Sequence, residues 1–248
     1  MLLFCAMTVD EKNGNSGLIQ ALFNVGAHLG YSKGRRHASM KSFIFGSKGR
    51  TDIIDLTKVE KVMEESLTFV RALGSQGKRV LFVGGKPETR TLVKSAAEEI
   101  DMPFVAGRWL GGTLTNFSEI KKRIKRLHEL TGDRDAGVLV QKYTKKERVL
   151  IDREIADLEE KFSGISSMDR LPDALVVVDT RAEDAAVKEA NLLHIPVIGI
   201  MNSDCDRNLV SHPIIGNDSS RGSVQFFLDA IVKAYQSGTS GAVTKEAA

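Results

Sequence analysis

Cysteine is scarce in this sequence, since only Cys5 and Cys205 occur among 248 residues and they lie 200 positions apart. Two cysteines so widely spaced form no disulfide framework, and they lack the short spacing at which zinc ligands occur. His212 lies seven residues after Cys205, but this pair supplies only half of the ligands that structural zinc takes. We therefore expect neither a disulfide-stabilised fold nor a metal site.

Long apolar segments are also missing, because no stretch approaches the roughly 18 residues that indicate a membrane-spanning helix. The first 15 residues contain a short apolar run, but no basic region precedes it and no convincing cleavage site follows. A signal peptide is therefore not expected. These absences predict a cytoplasmic protein without membrane contact.

Short apolar runs rich in β-branched residues are bounded by Gly, Pro or Asp and occupy residues 79–84, 103–106, 174–179 and 196–200. Runs that are almost continuously apolar indicate strands buried on both faces, as in a parallel sheet. Helical patterns accompany them at residues 59–73, 88–100, 183–193 and 220–234. The alternation predicts an α/β fold with an open, mostly parallel sheet flanked by helices, of the flavodoxin-like kind.

Residues 113–162 interrupt this alternation with two long helical patterns and no strand between them. Apolar residues recur there at intervals of three and four, which is coiled-coil spacing. They are Ile120, Ile124 and Leu127 in the first arm and Ile151, Ile155, Leu158 and Phe162 in the second. A turn with helix-breaking residues at 131–137 separates the arms, so the pattern predicts an antiparallel coiled-coil hairpin.

These patterns divide the chain into an α/β core domain of residues 18–112 and 164–236 and a helical hairpin lobe of residues 113–163. The hairpin is expected to protrude from the sheet. The tail 237–248 is small and polar and has no apolar period. We predict that both the tail and the N-terminal segment 1–17 are flexible.

The loops after the predicted strands lack the known nucleotide-binding motifs. Residues 83–87 have neither the glycine spacing nor the hydroxyl of a P-loop, and no dinucleotide fingerprint occurs. The loop 107–113 is rich in glycine, so its backbone N–H groups could hold a phosphate. A tight turn with Thr113 or Thr115 capping the next helix is the simpler explanation.

Isolated polar residues do not assemble into a catalytic group. Asp179 ends a strand, where it could bind a ribose or a metal or cap a helix, and no third residue orients His28 and Ser32. We therefore expect no catalytic residues and no cofactor. The alternative is a doubly wound enzyme that binds a nucleotide or sugar phosphate with Gly84, Gly107 or Asp179.

Positive charge is unevenly distributed along the chain. Residues 1–130 contain 21 Lys and Arg against 13 Asp and Glu, whereas residues 131–248 contain 14 against 19. No acidic residue occurs from Lys12 to Thr51. Because phosphates attract cations to one surface of a protein, this asymmetry favours a polyanionic partner.

The first basic cluster lies in the segment without acidic residues and consists of Lys33, Arg35, Arg36, Lys41, Lys48 and Arg50. A window of like charge repels itself unless a polyanion is present, although a solvated basic loop is the simpler alternative. Phe43 and Phe45 are interleaved with these cations. We expect both rings to anchor the segment to the core rather than to stack on bases.

The second basic cluster lies in the first hairpin arm and consists of Lys121, Lys122, Arg123, Lys125 and Arg126. These cations either pair with carboxylates of the second arm or face water and phosphate, and the sequence favours neither. Arg108 and Trp109 offer a phosphate contact and an aromatic anchor beside flexible glycines. Because no base-reading motif occurs, binding is predicted to be mainly to backbone and shape.

Ordered blocks of the sequence resemble the bacterial and organellar small-ribosomal-subunit protein 2 family. The most distinctive block is 108–117, RWLGGTLTNF, and the others lie at 22–30, 40–46, 52–56, 172–196 and 215–218. The resemblance spans about residues 18–236. It departs at 37–39, where the family's usual Asn-Pro is missing, and segment 1–17 lies outside it.

The resemblance implies a non-enzymatic structural protein of the small ribosomal subunit, with an α/β sheet and an inserted helical hairpin. It also implies contacts with small-subunit rRNA and with neighbouring ribosomal proteins, including the large mRNA-binding small-subunit protein 1 in bacteria. A cytoplasmic ribosome is expected, and the resemblance does not exclude an organellar one. The candidate RNA-binding residues are Lys33, Arg35, Arg36, Lys41, Lys48, Arg50, Arg108, Trp109, Asn116, Lys121, Lys122, Arg123, Lys125 and Arg126.

Overall fold

The computed structural model describes the backbone of residues 14–246 and the side chains of residues 17–240. Its N-terminal part begins with helix α1 (Gly14–Asn24) and continues into a three-stranded antiparallel sheet, the N-terminal sheet. Strands β1 (Leu29–Ser32) and β2 (Ile44–Lys48) both pair with β3 (Thr51–Ile54), which lies between them. Gly49 makes the tight turn from β2 to β3 with φ 64°, a conformation that glycine adopts without strain.

Five parallel strands form the main sheet: β4 (Val80–Val83), β5 (Phe104–Val105), β6 (Ala174–Val178), β7 (Val197–Met201) and β8 (His212–Ile215). Their order across the sheet is β5-β4-β6-β7-β8. Counted from β4, this is the 2-1-3-4-5 order of flavodoxin-like sheets. Enzymes with that order bind ligands outside the carboxyl ends of the first and third strands, which here are β4 and β6.

The remaining helices are α2 (Leu56–Ser75), α3 (Arg90–Glu99), α4 (Phe117–Asp135), α5 (Val138–Lys142), α6 (Lys145–Phe162), α7 (Asp184–Leu192) and α8 (Arg221–Glu246). Alternate strand side chains point to opposite faces, so Phe82 joins one apolar cluster and Val83 the other. Buried residues of α2, α3 and α8 belong mainly to the first cluster, and those of α4, α6 and α7 to the second. The sheet is therefore covered on both faces, which confirms the predicted α/β fold with a mostly parallel sheet. Within the described residues, no helix is long and apolar enough to cross a membrane.

The inserted segment forms α4 and α6, which contact each other. Six of the seven apolar positions that gave the coiled-coil spacing are buried, namely Ile120, Ile124, Leu127, Ile155, Leu158 and Phe162. The exception is Ile151, which is partly buried. The same apolar cluster includes Val83 and Leu175 of the main sheet, so the two helices share a core with it.

The break between the helical arms is shorter than the predicted turn at 131–137. Helix α4 continues through Gly132 to Asp135, and the left-handed residue Gly137 then starts α5. One glycine inside a helix costs only about 1 kcal/mol relative to alanine, and the burial of Leu130 in the preceding turn offsets that cost. Of the predicted turn 131–137, only the last two residues, Ala136 and Gly137, lie outside a helix.

The sequence patterns did not predict the N-terminal sheet or strand β8. Irregular pairing interrupts the residue-by-residue alternation in both strand pairs of the N-terminal sheet, so no period of two is visible in the sequence. Strand β8 contains Pro213, a residue that normally argues against a strand. It is tolerated here because β8 is the edge strand of the main sheet.

Residues 237–246 of the predicted flexible tail continue helix α8 in the structure. The small residues that suggested disorder instead allow α8 to approach α2 closely. A Cβ atom on Gly238 would collide with the carbonyl oxygen of Arg71, and one on Gly74 would collide with that of Tyr235. The last four residues of the predicted flexible segment 1–17 belong to helix α1. Its residues 1–13, and residues 247–248 of the tail, lie outside the described residues.

We predict that Gly74→Ala lowers the free energy of unfolding by about 1–3 kcal/mol, although alanine favours helices, because its methyl group must displace the α8 backbone. Denaturant unfolding followed by circular dichroism measures the change. Gly222→Ala is the matched control, since an added Cβ there meets no atom within 4 Å and the variant should be neutral or more stable. Equal stability of the two variants would contradict the close packing of α2 on α8.

Candidate nucleic-acid interface

An internal ion cluster closes the carboxyl ends of β4 and β6, where an enzyme of this fold would bind its ligand. The Lys86 ammonium lies 2.5 Å from a carboxylate oxygen of Asp179 and 3.1 Å from one of Asp218. Burial lowers the pKa of Lys86, but hydrogen bonds and attraction from the two carboxylates outweigh it and raise the pKa overall. Lys86 is therefore a charged structural group rather than a free ligand for phosphate.

The turn after β4 is occupied by another carboxylate of the protein. The Gly85 N–H donates to Glu183 Oε1 at 3.0 Å, and burial raises the pKa of Glu183. Asp179 caps the next turn, since its Oδ1 accepts from the N–H groups of Arg181 and Ala182, each at 3.1 Å. At these strand ends Lys86 and the Gly85 N–H are thus already bound to the protein's own carboxylates, which disfavours the alternative hypothesis of a phosphate-binding enzyme.

The glycine-rich loop after β5 binds an anion, and that anion is the Glu189 carboxylate of helix α7. It accepts hydrogen bonds from Trp109 Nε1 at 3.1 Å and from the N–H groups of Gly112 at 2.8 Å, Leu114 at 3.0 Å and Thr115 at 3.1 Å. Burial alone would raise the pKa of Glu189, but these donors outweigh it and hold the pKa below its ordinary value. The loop has the predicted anion-binding chemistry, but its donors are already used.

This geometry corrects two predictions for the loop. Trp109 is not an aromatic anchor for RNA, because its residue is only 7% exposed and its indole N–H is bound to Glu189. Neither threonine caps helix α4, since the N-cap residue is Asn116. Arg108 and Asn116 are exposed on either side of the bound segment. They remain candidates for contact with RNA.

Five predicted RNA-binding cations lie in or beside the N-terminal sheet with exposed side chains, and we call them the sheet cations: Lys33, Arg35, Lys41, Lys48 and Arg50. The Lys33 N–H donates to the Arg50 carbonyl at 3.0 Å, and Lys48 pairs with Thr51, so these three residues meet at one end of the sheet. Within the described residues, none of the sheet cations has a carboxylate within 4.0 Å. Their charge is therefore available to an external partner.

Arg36 differs from the sheet cations, because its guanidinium is bound inside the protein. Its Nε donates to Asp52 Oδ2 at 2.6 Å and its Nη2 to Oδ1 at 2.5 Å, while the Asp52 side chain is fully buried. The hydrogen bonds from Arg36 hold the pKa of Asp52 below its ordinary value despite burial. Because its guanidinium already neutralises a buried carboxylate, Arg36 has less charge to offer RNA than the sheet cations.

The two phenylalanines of this segment lie in opposite environments. Phe43 is 8% exposed and belongs to an apolar cluster, as predicted. Phe45 is 81% exposed, so the prediction that it anchors the segment to the core is wrong. The β2–β3 pairing explains the difference, because Ile44 and Gly46 face consecutive residues of β3 and leave Phe45 as the extra residue of a β-bulge.

The cations of helix α4 are mostly engaged with groups of the protein. Only one contact crosses to the second arm, so the hypothesis of pairing across the hairpin holds for Arg126 alone in the described residues. Exposed ion pairs stabilise by only ~0–1 kcal/mol, so phosphates can replace them at little cost. The contacts are Lys121 to the Asp169 carbonyl (2.6 Å), Lys122 to Glu119 (2.6 Å), Lys125 to Glu129 (3.8 Å) and Arg126 to Glu154 (3.3 Å).

Reactive and metal-binding groups do not accompany these surfaces in the part of the chain that the structure describes. No three His, Cys, Asp or Glu side chains there are grouped so that they could hold a metal ion. Burial raises the pKa of the Cys205 thiol to about 12, so this side chain is a protonated core group at neutral pH. Besides these cations, the described surface exposes several large apolar side chains, of which Phe45 at 81% is the most exposed.

Comparison with known proteins points to one family. The profile of the family described as "Ribosomal protein S2" matches residues 22–238. The chain is 39% identical over 223 residues to the small ribosomal subunit protein uS2 of Fusobacterium nucleatum, which covers 90% of both chains. It is 38% identical over 223 residues to the uS2 protein of Coprothermobacter proteolyticus, covering 90% of this chain and 83% of the relative. For Mesoplasma florum uS2 the identity is 41% over 213 residues, covering 86% and 80%.

We predict that Glu189→Gln lowers the free energy of unfolding at neutral pH by about 1–3 kcal/mol, because the amide accepts fewer hydrogen bonds from the loop. Since folding lowers the pKa of Glu189, its contribution is full above the unfolded pKa of 4.5 and is lost as the pH falls through the folded pKa. The difference between wild type and variant should therefore shrink below about pH 4.5.

Denaturant unfolding at a series of pH values measures this difference. Glu98→Gln is the matched control, because Glu98 is exposed on α3 and only pairs with Lys94 at 3.7 Å, so little change is expected. A difference between wild type and Glu189→Gln that did not vary with pH would contradict the proposed role of the carboxylate charge.

Proposed function

The chain belongs to the ribosomal protein S2 family, and we propose that it binds small-subunit rRNA through the sheet cations. It is a structural component of the small ribosomal subunit and not an enzyme. Its partners are ribosomal RNA and other ribosomal proteins. The proposal concerns which surface makes the RNA contact and which residues carry it.

The observation that carries the proposal is that none of the sheet cations forms an ion pair with a carboxylate within 4.0 Å in the described residues. Like charges gathered without counter-charge repel each other, and phosphate groups remove that repulsion. Each cation that meets a phosphate also releases a condensed counterion, which makes binding strong and dependent on salt. Arg36 does not contribute, because Asp52 already neutralises it.

A second RNA contact is proposed for helix α4 and the loop before it. Arg108 and Asn116 are exposed there, and so are Lys121, Lys122, Arg123 and Lys125, with Arg126 half exposed. Three of the α4 cations, Lys122, Lys125 and Arg126, already lie in exposed ion pairs of small stabilising effect, so we rank this surface below the sheet cations. We expect these side chains to contact the RNA backbone rather than base edges. The protein should therefore recognise RNA shape rather than base sequence.

We further propose that α4 and α6 form an antiparallel coiled coil, and that residues 113–163 are a helical lobe inserted into the α/β core of 18–112 and 164–236 and joined to it through the shared apolar cluster. Support comes from the spacing of their buried apolar residues and from the ion pair between Arg126 and Glu154. The large mRNA-binding small-subunit protein 1 is proposed as one protein neighbour, on the basis of the family resemblance. Both proposals are independent of the choice of RNA-binding surface.

The triple variant Lys33→Gln, Lys48→Gln and Arg50→Gln is expected to bind small-subunit rRNA more weakly and with less dependence on salt. Each lost phosphate contact should reduce the slope of log affinity against log salt by about 0.7–0.9. Filter binding of the full chain to rRNA at several salt concentrations measures both quantities. The control variant Arg71→Gln, Lys94→Gln and Lys188→Gln removes equal charge from paired positions on α2, α3 and α7.

If the triple variant kept the wild-type salt slope while the control variant lost it, the RNA surface would lie elsewhere. Co-sedimentation of each variant with small subunits in a sucrose gradient tests the same contact during assembly. The triple variant should remain in the free-protein fraction at a salt concentration at which the control variant still sediments with subunits.

Replacing Lys121, Lys122, Arg123, Lys125 and Arg126 by Glu is predicted to impair incorporation into subunits while leaving the fold intact. The fold should survive because the lost pairs are exposed and weak. Circular dichroism checks the helix content, and sucrose-gradient sedimentation measures incorporation. Normal incorporation would mean that these cations only solvate α4 or pair with their own carboxylates.

A further inference from the structure

The Phe45 ring lies in solvent on the N-terminal sheet and is 81% exposed, the most exposed large apolar side chain of the described residues. Its position has a defined cause in the backbone. Strand β2 contains a β-bulge in which Phe45 is the residue without a partner on β3. Bulges re-aim side chains and are often found next to functional sites.

The bulge also determines which side chains share a face with Phe45. Asp52 and Ile54 of β3 are buried, so their face of the sheet is the inner one, and their cross-strand partners Ser47 and Ile44 lie on it. Side chains alternate along a strand, so Phe45, the residue after Ile44, lies on the outer face. The bulge shifts the alternation by one residue, so Gly46 is also on the outer face and Ser47 is the next residue on the inner face.

Lys48 therefore lies on the outer face together with Phe45, opposite the exposed residue Thr51. Gly46 separates them, and a Cβ atom built on Gly46 meets no atom within 4 Å. Leu29 faces Ile53 from β1 and is 41% exposed. The outer face is thus an open surface with one large aromatic ring, apolar side chains beside it and a cation at its end.

The charge around this surface indicates its partner. Lys33, Lys48 and Arg50 meet at the same end of the sheet and have no carboxylate within 4.0 Å in the described part of the chain. An apolar protein surface would leave these cations unneutralised, whereas an RNA strand offers phosphates to them and a base to the ring. Bases paired within a double helix are stacked on each other, so only an unpaired base is accessible to the ring.

We propose that Phe45 stacks on an unpaired base of small-subunit rRNA while Lys48 and Arg50 bind the phosphates next to that base. The inference rests on the proposed RNA-binding function and adds one nucleotide contact to it. Stacking on an aromatic ring tolerates any base, because every base has a π face. The site therefore selects an unstacked nucleotide and not a base identity.

The test uses the full chain and purified small-subunit rRNA. Phe45→Ala is expected to weaken binding by about 5- to 150-fold, the range found when an aromatic stacking partner is removed. The slope of log affinity against log salt should stay at the wild-type value, because no charge is lost. Phe45→Tyr keeps a stacking ring and should restore affinity, whereas Phe45→Leu, which is apolar but cannot stack, should not.

Leu192→Ala is the matched control, since Leu192 is an apolar residue of α7 that is 73% exposed. Its affinity for rRNA should equal that of wild type. Thermal unfolding of Phe45→Ala should also match wild type, because the ring it removes is already in water. A second readout is Phe45→Trp, whose indole fluorescence should be quenched by a short single-stranded RNA and not by a fully double-stranded RNA of similar length.

The results separate this inference from the proposed function. If Phe45→Ala binds rRNA like wild type while the Lys33, Lys48 and Arg50 variant loses affinity, the sheet binds RNA without stacking and the inference is overturned. If neither variant loses affinity, the proposed function of the sheet cations fails as well. If Phe45→Ala binds rRNA normally but enters subunits poorly, the ring contacts a protein, which also overturns the inference.

Discussion

The hydrogen bonds of the Glu189 carboxylate connect helix α7 to the glycine-rich loop that precedes helix α4. One buried side chain of α7 binds the indole N–H of Trp109 and three backbone N–H groups of the loop before α4. A buried carboxylate is stable only when it is fully hydrogen-bonded, so the loop and helix α7 require each other. Their contact orients the start of α4, whose buried apolar residues belong to the same cluster as those of α6 and of the main sheet.

The same principle operates at the strand ends, where an α/β sheet of this order usually binds its ligand. Lys86 bridges Asp179 and Asp218, and Glu183 occupies the N–H of the turn after β4. The backbone geometry of a ligand-binding sheet is thus present, but the protein's own carboxylates take the positions that a phosphate would need. The surface that we propose for RNA lies elsewhere, at the sheet cations, which within the described residues have no carboxylate within 4.0 Å.

Burial and pairing separate the candidate residues into groups that look alike in the sequence. Arg36 and Arg35 are adjacent, yet the first neutralises a buried aspartate and the second is exposed over the Tyr31 ring, 4.9 Å from its centre. Phe43 and Phe45 are two positions apart, and a single bulge residue places one in the core and the other in water. No local pattern distinguishes the members of these pairs, because the difference comes from residues far along the chain or on another strand.

Patterns in the sequence were sufficient to predict the α/β class, the strands β4 to β7, the helices around them and the apolar faces of α4 and α6. Those features depend on local periodicity and on runs of β-branched residues, which are visible without the fold. The sequence also indicated the basic segment of residues 33–50 and, through its resemblance to a family, the ribosomal role. Three features became visible only in the folded chain: the burial of Trp109, the neutralisation of Arg36 and the continuation of helix α8 beyond residue 236. Each of these outcomes depends on a partner distant in sequence, whether Glu189, Asp52 or helix α2, and the energy of a buried contact is decided by that partner and not by the residue's neighbours in the chain.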